Sequence, residues 1–384
     1  MEGTINDYAV IVNNVSKHIA PKVSPSIRSE YLDFMYKVDN NERTYTDVGV
    51  TGLGMAQIIP DGGIGASDAP IEGYSKNYVQ MHFTKKVRLT FQTNFFLFES
   101  AASKIKGSVK KKIIEGKNSI EHAKNYLAQS LLAQGFDTSF TWTPINSVGT
   151  SKTIATIGAD SVEYWSQAHP REDGGTAWSN VIVDGATSSP QFTYSALLAA
   201  RRLHSQKKDG RGNPLVSDLD TLICRRGSTT AQFAKTIKST IDKGLAPQQT
   251  NLFNNAPATD TFKVVELSPY QSLAMDGLMW GMFDSKMMNA DYGFLYIEAL
   301  PTRVEPAVVD LLGNQDLVMN FNALCVMGAS DLRSWMWSDG DGATVWPFSR
   351  NFIRALTNYI VSVIITVLLI NTKYGRYKTM QNVW

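Results

Sequence analysis

The chain has 384 residues, 43% hydrophobic and 19% charged, with 37 Lys and Arg against 35 Asp and Glu, for a formal net charge of +2. That balance excludes a disordered chain and a uniformly basic nucleic-acid coat, and the length suits two or three domains or one large irregular body. Two cysteines, Cys224 and Cys325, stand far apart with no CxxC pair, which excludes a disulfide framework and fits a reducing setting.

The opening MEGTINDYAV has neither a basic run nor an apolar run, so no export signal is expected. Residues 1–45 read as an arm, with a helix pattern around Tyr8–Ile19, Pro21 and Pro25, and a second candidate helix from Ser26 to Tyr36. Residues 46–92 read as an extended hairpin. Its tip, DGGIGASDAPIEGYS, is dense in the turn residues Gly, Pro, Asp and Ser. Its return leg alternates. Val79, Met81, Phe83, Lys85, Val87, Leu89 and Phe91 share one face, and Gln80, His82, Thr84, Lys86, Arg88 and Thr90 share the other. At about 3.4 Å per residue this strand spans roughly 44 Å. A two-stranded ribbon is marginal alone in water, so its apolar face needs cover, from its own body or from another copy. Val79, Met81, Phe83, Val87, Leu89 and Phe91 are therefore the candidate inter-subunit contacts.

The period then changes. Phe98, Ala102, Ile105, Val109, Ile113, Ile120, Ala123, Leu127 and Leu131 recur mostly at steps of three and four, predicting one long helix that ends near Gln134. Its lysines, Lys104, Lys106, Lys110, Lys111, Lys112, Lys117 and Lys124, read as a solvated face. After a loop-rich stretch to residue 190, a helix is predicted over Thr193–Gln206 with Thr193 as cap, a buried strand in LDTLICRR, and a helix from Thr229 to Lys243. Strands are predicted over Phe262–Leu267, Trp280–Asp284, Gly293–Leu300 and Val318–Met327. The class is α+β, with no internal repeat. The apolar run Tyr359–Ile370 is shorter than the roughly 20 residues that cross a bilayer and is rich in β-branched residues, so a buried strand is expected and no membrane.

The chemical motifs are sparse. The glycine-rich tip lacks the Lys-Ser/Thr of a phosphate loop, and no G-x-S-x-G elbow occurs. None of the five histidines pairs at zinc spacing on a helix. His169 lies near Glu163, Glu172 and Asp173, and His169-Pro170 reads as shaping a loop. Ser338–Gly342 reads as a surface turn, since the remaining ligands of a calcium loop are missing. Cys224 and Cys325 sit in apolar runs as core thiols, and Trp335, Trp337 and Trp346 read as aromatic packing. No catalytic residue, cofactor or metal is assigned, and the chain reads as a structural protein.

The order of features resembles the major capsid proteins of tailed bacteriophages, those with the Hong Kong 97 fold, and within them the major head subunits of Mu-like prophages. The likeness rests on the hairpin and long helix ending LAQSLLAQGF, then DSVEYWSQAHP (160–170), GGTAWSN (174–180), FTYSALLAARRL (192–203), DGRGNPL (209–215), DTLICRRGSTTAQFAKTIKS (220–239), WGMFDSK (280–286) and YGFLYIEALPTRVEP (292–306). It covers roughly residues 45–340. The resemblance implies an N-terminal arm (1–45), an extended hairpin loop (46–92), and a peripheral domain with a spine helix (93–149). An axial domain (150–289), peripheral strands (290–345) and a tail outside the family pattern (346–384) follow. It implies pentamers and hexamers of the chain in an icosahedral virion shell, assembled in the bacterial cytoplasm around double-stranded DNA. Scaffold, portal and decoration proteins would be separate chains. A protein nanocompartment on the same fold, or a tether through the C-terminal run, are the alternatives. The Lys–Asn cross-link of some members is not carried over to Lys76, Lys85, Lys86, Asn314, Asn320 or Asn322.

Overall fold

A computed structural model describes residues 23–50, 68–69, 72–89, 102–145, 151–185, 187–242, 262–270, 273–289, 292–305, 308–309 and 317–342. The chain divides into two compact units, Met1–Gly342 and Ala343–Trp384, and every described residue belongs to the first. The helix pattern at 8–19, Phe91, Trp346 and the apolar run at 359–370 lie outside the described residues.

Two helix-on-sheet layers make up the described body. The first has five strands: β1 (Met35–Asp39), β4 (Met81–Leu89), β12 (Phe294–Val304), β13 (Val308–Val309) and β14 (Leu317–Ala329). β14 pairs antiparallel with β4 on one edge and with β12 and then β13 on the other, and β1 adds parallel to β12. Alternation along β14 buries Met319, Phe321, Ala323, Cys325 and Met327 on one face. Across that sheet lies helix α1 (Ala102–Ala133), about 48 Å long for its 32 residues. It buries Val109, Ile113, Ile120, Leu127 and Leu131, the stripe predicted by the period. Gly116 sits where α1 meets the sheet most closely, and a Cβ there would lie 2.4 Å from the Phe321 ring.

The second layer is a sheet in the order β10-β9-β11-β15, from Lys263–Leu267, Thr221–Arg225, Trp280–Phe283 and Trp335–Ser338. β9 and β10 run parallel, joined through helix α3 (Thr229–Asp242), and helix α2 (Tyr194–Ser205) packs in the same apolar cluster. Thr193 caps α2 by accepting the Ala196 N–H at 3.0 Å. A shared core joins the layers: Trp165 stacks on Trp337 with ring centroids 4.9 Å apart, and Phe283 stacks on Trp335 at 4.5 Å. Trp335 and Trp337 are thus packing residues. Cys224 and Cys325 are buried free thiols, each pushed up to about 12 chiefly by burial. The α+β class holds.

Two expectations are corrected. The helix predicted over Ser26–Tyr36 is a single 3-10 turn, Glu30–Asp33, followed by β1. The Glu30 N–H goes to Asn125 of α1 and the chain from Met35 pairs with β12, so helical bonding stops at Leu32 N–H to Ser29 O and Phe34 N–H to Tyr31 O. The long return leg is two strands. β3 (Glu72–Val79) pairs with β2 (Thr44–Val50) in the ribbon, whereas β4, after the single residue Gln80, is a strand of the main sheet.

Candidate subunit interface

The ribbon begins as a direct extension of the main sheet, since one residue separates β3 from β4. Its base rests on the outer sheet face, where Tyr45, Tyr78 and Val38 pack with Leu295, Ile297 and Val326. Gly328 makes the seat possible, because a Cβ there would lie 2.7 Å from the Tyr78 ring. The Tyr78 hydroxyl shares a 2.7 Å hydrogen bond with Ser330 Oγ, and burial raises its pKa well above the ordinary value. Lys76 Nζ donates to the Ile157 carbonyl (2.5 Å), the Ala329 carbonyl (2.8 Å) and the Tyr164 hydroxyl (3.1 Å). Further out, Arg211 of the DGRGNPL turn donates to Asp68 at 2.7 Å and to the Ala69 carbonyl.

The candidate contacts therefore separate. Met81 and Phe83 are half-buried against their own chain's core, and Val87 is half-buried opposite Met319. The chain itself partly covers these three, because β4 pairs through its length with β14 and its inward face lies against α1. Leu89 pairs with Leu317 in the sheet. Val79 is 53% exposed, and Val48, which the alternation argument did not single out, is 48% exposed on the facing strand. On the other layer Phe233 and Leu278 border one shallow pocket, and they and Leu198 are each more than a third exposed.

The arm is held by a polar ladder that pattern reading missed. Lys117, Glu121 and Asn125 recur every fourth residue on one side of α1. Lys117 donates to the Val23 carbonyl at 2.6 Å, Glu121 accepts from Ser29 Oγ at 2.9 Å, and Asn125 accepts the Glu30 N–H at 2.9 Å. The Glu30 carboxylate accepts from Ser268 N (2.8 Å) and Ser268 Oγ (2.6 Å), tying the arm to the second layer. Lys124 is buried beside Glu121 (3.3 Å) and Glu298 (3.7 Å) and donates to Tyr296. Burial opposes its charge, but Cys325, Glu121, Tyr31 and Glu298 more than offset that and raise its pKa. The reading of the helix lysines as one solvated face holds for Lys110 and Lys111 and fails for Lys117 and Lys124.

One grouping has the residue types of a hydrolase site. His204 Nε2 lies 2.7 Å from Ser217 Oγ, and Ser217 donates to Asp284 at 2.8 Å. The order is wrong for nucleophile activation. The carboxylate takes the hydroxyl proton, so the histidine must donate to the serine and is no base for it. Burial lowers the His204 pKa to about 2, and Asp284 also accepts three backbone N–H groups, so the array is a structural clasp. Among the described residues no group of three His, Cys, Asp or Glu is arranged to hold a metal ion, and no helix is long and apolar enough to cross a membrane.

No family model matches the chain, and no curated protein matches it by sequence. Among solved structures it is similar to the capsid of a native GTA particle, at a TM-score of 0.46 and 10% identity over 82% of this chain and 91% of that one. A chain of Microbacterium phage Oxtober96 is similar at 0.44 and 10%, covering 82% and 92% respectively. The capsid of Myoviridae phage XM1 is similar at 0.41 and 10%, covering 82% and 93%.

Proposed function

We propose that the chain is a structural subunit, a major capsid protein of the Hong Kong 97 type whose copies close into an icosahedral shell around double-stranded DNA. The observation that carries this reading is the ribbon, a continuation of the main sheet that leaves Val48 and Val79 open to a neighbour. The capsid structures named above agree with it. In this account the second layer meets its copies in pentamers and hexamers through the surface at Leu198, Phe233 and Leu278. The ribbon, through Val79 and Val48 and with Leu89 and Phe91 as further contacts, ties one ring to the next. An interface of ordinary size buries about 1,600 Å² in total, and its apolar part drives association at roughly 25 cal/mol per Å². Association entropy offsets much of that, so many modest contacts summed over a closed shell fit the design. Scaffold, portal and decoration proteins would be separate partners, and the subunit's place is the virion.

The test is electron microscopy of particles from expressing cells, with nuclease digestion before DNA extraction. Closed shells holding nuclease-protected double-stranded DNA are expected from phage-producing cells. Shells filled with protein and no protected DNA would replace this reading with a nanocompartment, and a chain that never exceeds a small oligomer would overturn it.

A further inference from the structure

Under the ribbon the chain encloses a cavity of about 120 Å³. Its walls come from three distant stretches: Asp47 and Tyr74 on the ribbon, residues 158–178, and Tyr292 with residues 330–333. Four carboxylates line it, Asp47, Asp160, Glu172 and Asp331, against one permanent cation, Arg333. That cation is already committed, to Glu172 at 2.6 Å and Asp331 at 3.4 Å, and although burial raises the Asp331 pKa, Asp47 and Asp160 leave the lining a negative surplus.

His169 supplies an independent observation. Its ring is buried and stacked on Trp178, with centroids 4.3 Å apart. Nδ1 lies 2.6 Å from the Asp160 carboxylate, and Nε2 is buried with no hydrogen-bond partner among the described residues. In the neutral ring that donates its Nδ1 proton to Asp160, Nε2 is a lone-pair acceptor. A buried acceptor in a negative cavity calls for a ligand that brings N–H donors and positive charge. The walls suit the rest of such a ligand, since Tyr74 and Tyr292 offer aromatic surface that attracts cations within about 6 Å of a ring, whereas the Trp178 ring is already taken by His169, Lys207 and Arg333. Trp178 Nε1 and Arg333 Nε are buried donors that also lack a hydrogen-bond partner among the described residues.

We propose that this cavity binds an organic cation, a primary ammonium or a guanidinium, with N–H groups shared between His169 Nε2 and the surrounding carboxylates. Because Asp47 and Tyr74 belong to the ribbon, occupancy links the ribbon to the body. Binding does not depend on whether the chain forms shells.

Isothermal titration of the purified full chain with methylguanidinium chloride and with butylammonium chloride tests this. Sodium and magnesium chloride at matched ionic strength are the controls. One saturable site per chain is expected for at least one organic cation and for neither salt. Affinity should fall at least tenfold in His169→Phe, which keeps the ring stack. Should that variant fail to fold, Asp47→Asn on the half-buried ribbon strand should weaken binding several-fold. Native mass spectrometry of the chain as purified separates the sources of the cation. A retained amine adduct points to a free polyamine-like ligand, and an empty chain that binds in titration points to a lysine or arginine of another protein. No saturable binding, an equal response to the inorganic salts, or unchanged affinity in both variants would overturn the proposal.

Discussion

Both layers seat a helix on a sheet through apolar side chains, and the first adds a buried polar joint. In the second layer, α2 and α3 meet their sheet through Ala196, Leu197, Ala200, Ala231, Ala234, Ile237 and Trp280, an apolar seam. In the first layer the middle of α1 is joined by the buried Lys117, Glu121, Lys124 and Asn125 and the half-buried Glu298, polar groups that hold the arm and the sheet at once. An apolar seam is non-directional and is lost only with the fold. A buried polar joint is specific and depends on every partner, since one unpaired member carries the full cost of desolvation. The second layer is therefore built to stay shut, and the first to hold a strap that has one correct seat.

That contrast can be broken at its strongest points first. Trp280 is fully buried, donates to the Pro190 carbonyl at 2.9 Å and meets Phe192 edge-on. Trp280→Ala should cost about 3–5 kcal/mol and lower the whole unfolding transition in a denaturant melt. Lys124→Met strands Glu121 and Glu298 and should cost a similar 3–5 kcal/mol, about the amount for breaking a buried pair. Here the loss should show first as proteolytic cleavage around residues 23–34, before the body unfolds. If the arm stays protected until global unfolding, the polar joint is not what seats it. Gly116→Ala should cost about 1–3 kcal/mol by driving a methyl into the Phe321 ring, measured as a shift in the denaturation midpoint.

The smallest effect concerns acid. Burial pushes the Glu298 pKa up, but the Lys37 bond at 2.7 Å, the Tyr296 hydroxyl and Lys124 pull it below the ordinary 4.5. A lowered carboxylate pKa adds stability above the unfolded value, and that stability is lost as pH falls through the folded value. Lys37→Met should therefore flatten the loss of stability below about pH 4.5, as followed by thermal melts across pH. Lys37 is partly exposed, so the change is modest.

Periodicity made much of this architecture legible. The α1 stripe, the Thr193 cap and the buried β9 all follow from spacing and residue type within a short window. What it missed has physical causes. The alternation from Val79 to Leu89 is unbroken, yet Gln80 divides it between two sheets, because side-chain alternation says nothing about which strand lies alongside. β1 escaped because its partner β12 lies more than 250 residues away and its own burial does not alternate cleanly. The arm ladder consists of polar residues that look like a solvated face until Val23–Tyr31 is laid against them. The cavity gathers residues from Asp47 to Arg333, and no local window contains it.

Sedimentation velocity is the most direct measurement, comparing the wild-type chain with the pair Val48→Asp and Val79→Asp under the conditions that give shells. Both valines are about half exposed, so the double variant should melt like the wild type. The account predicts rapidly sedimenting shells from the wild type and only rings or single subunits from the variant. Shells of normal size from a properly folded double variant would contradict it.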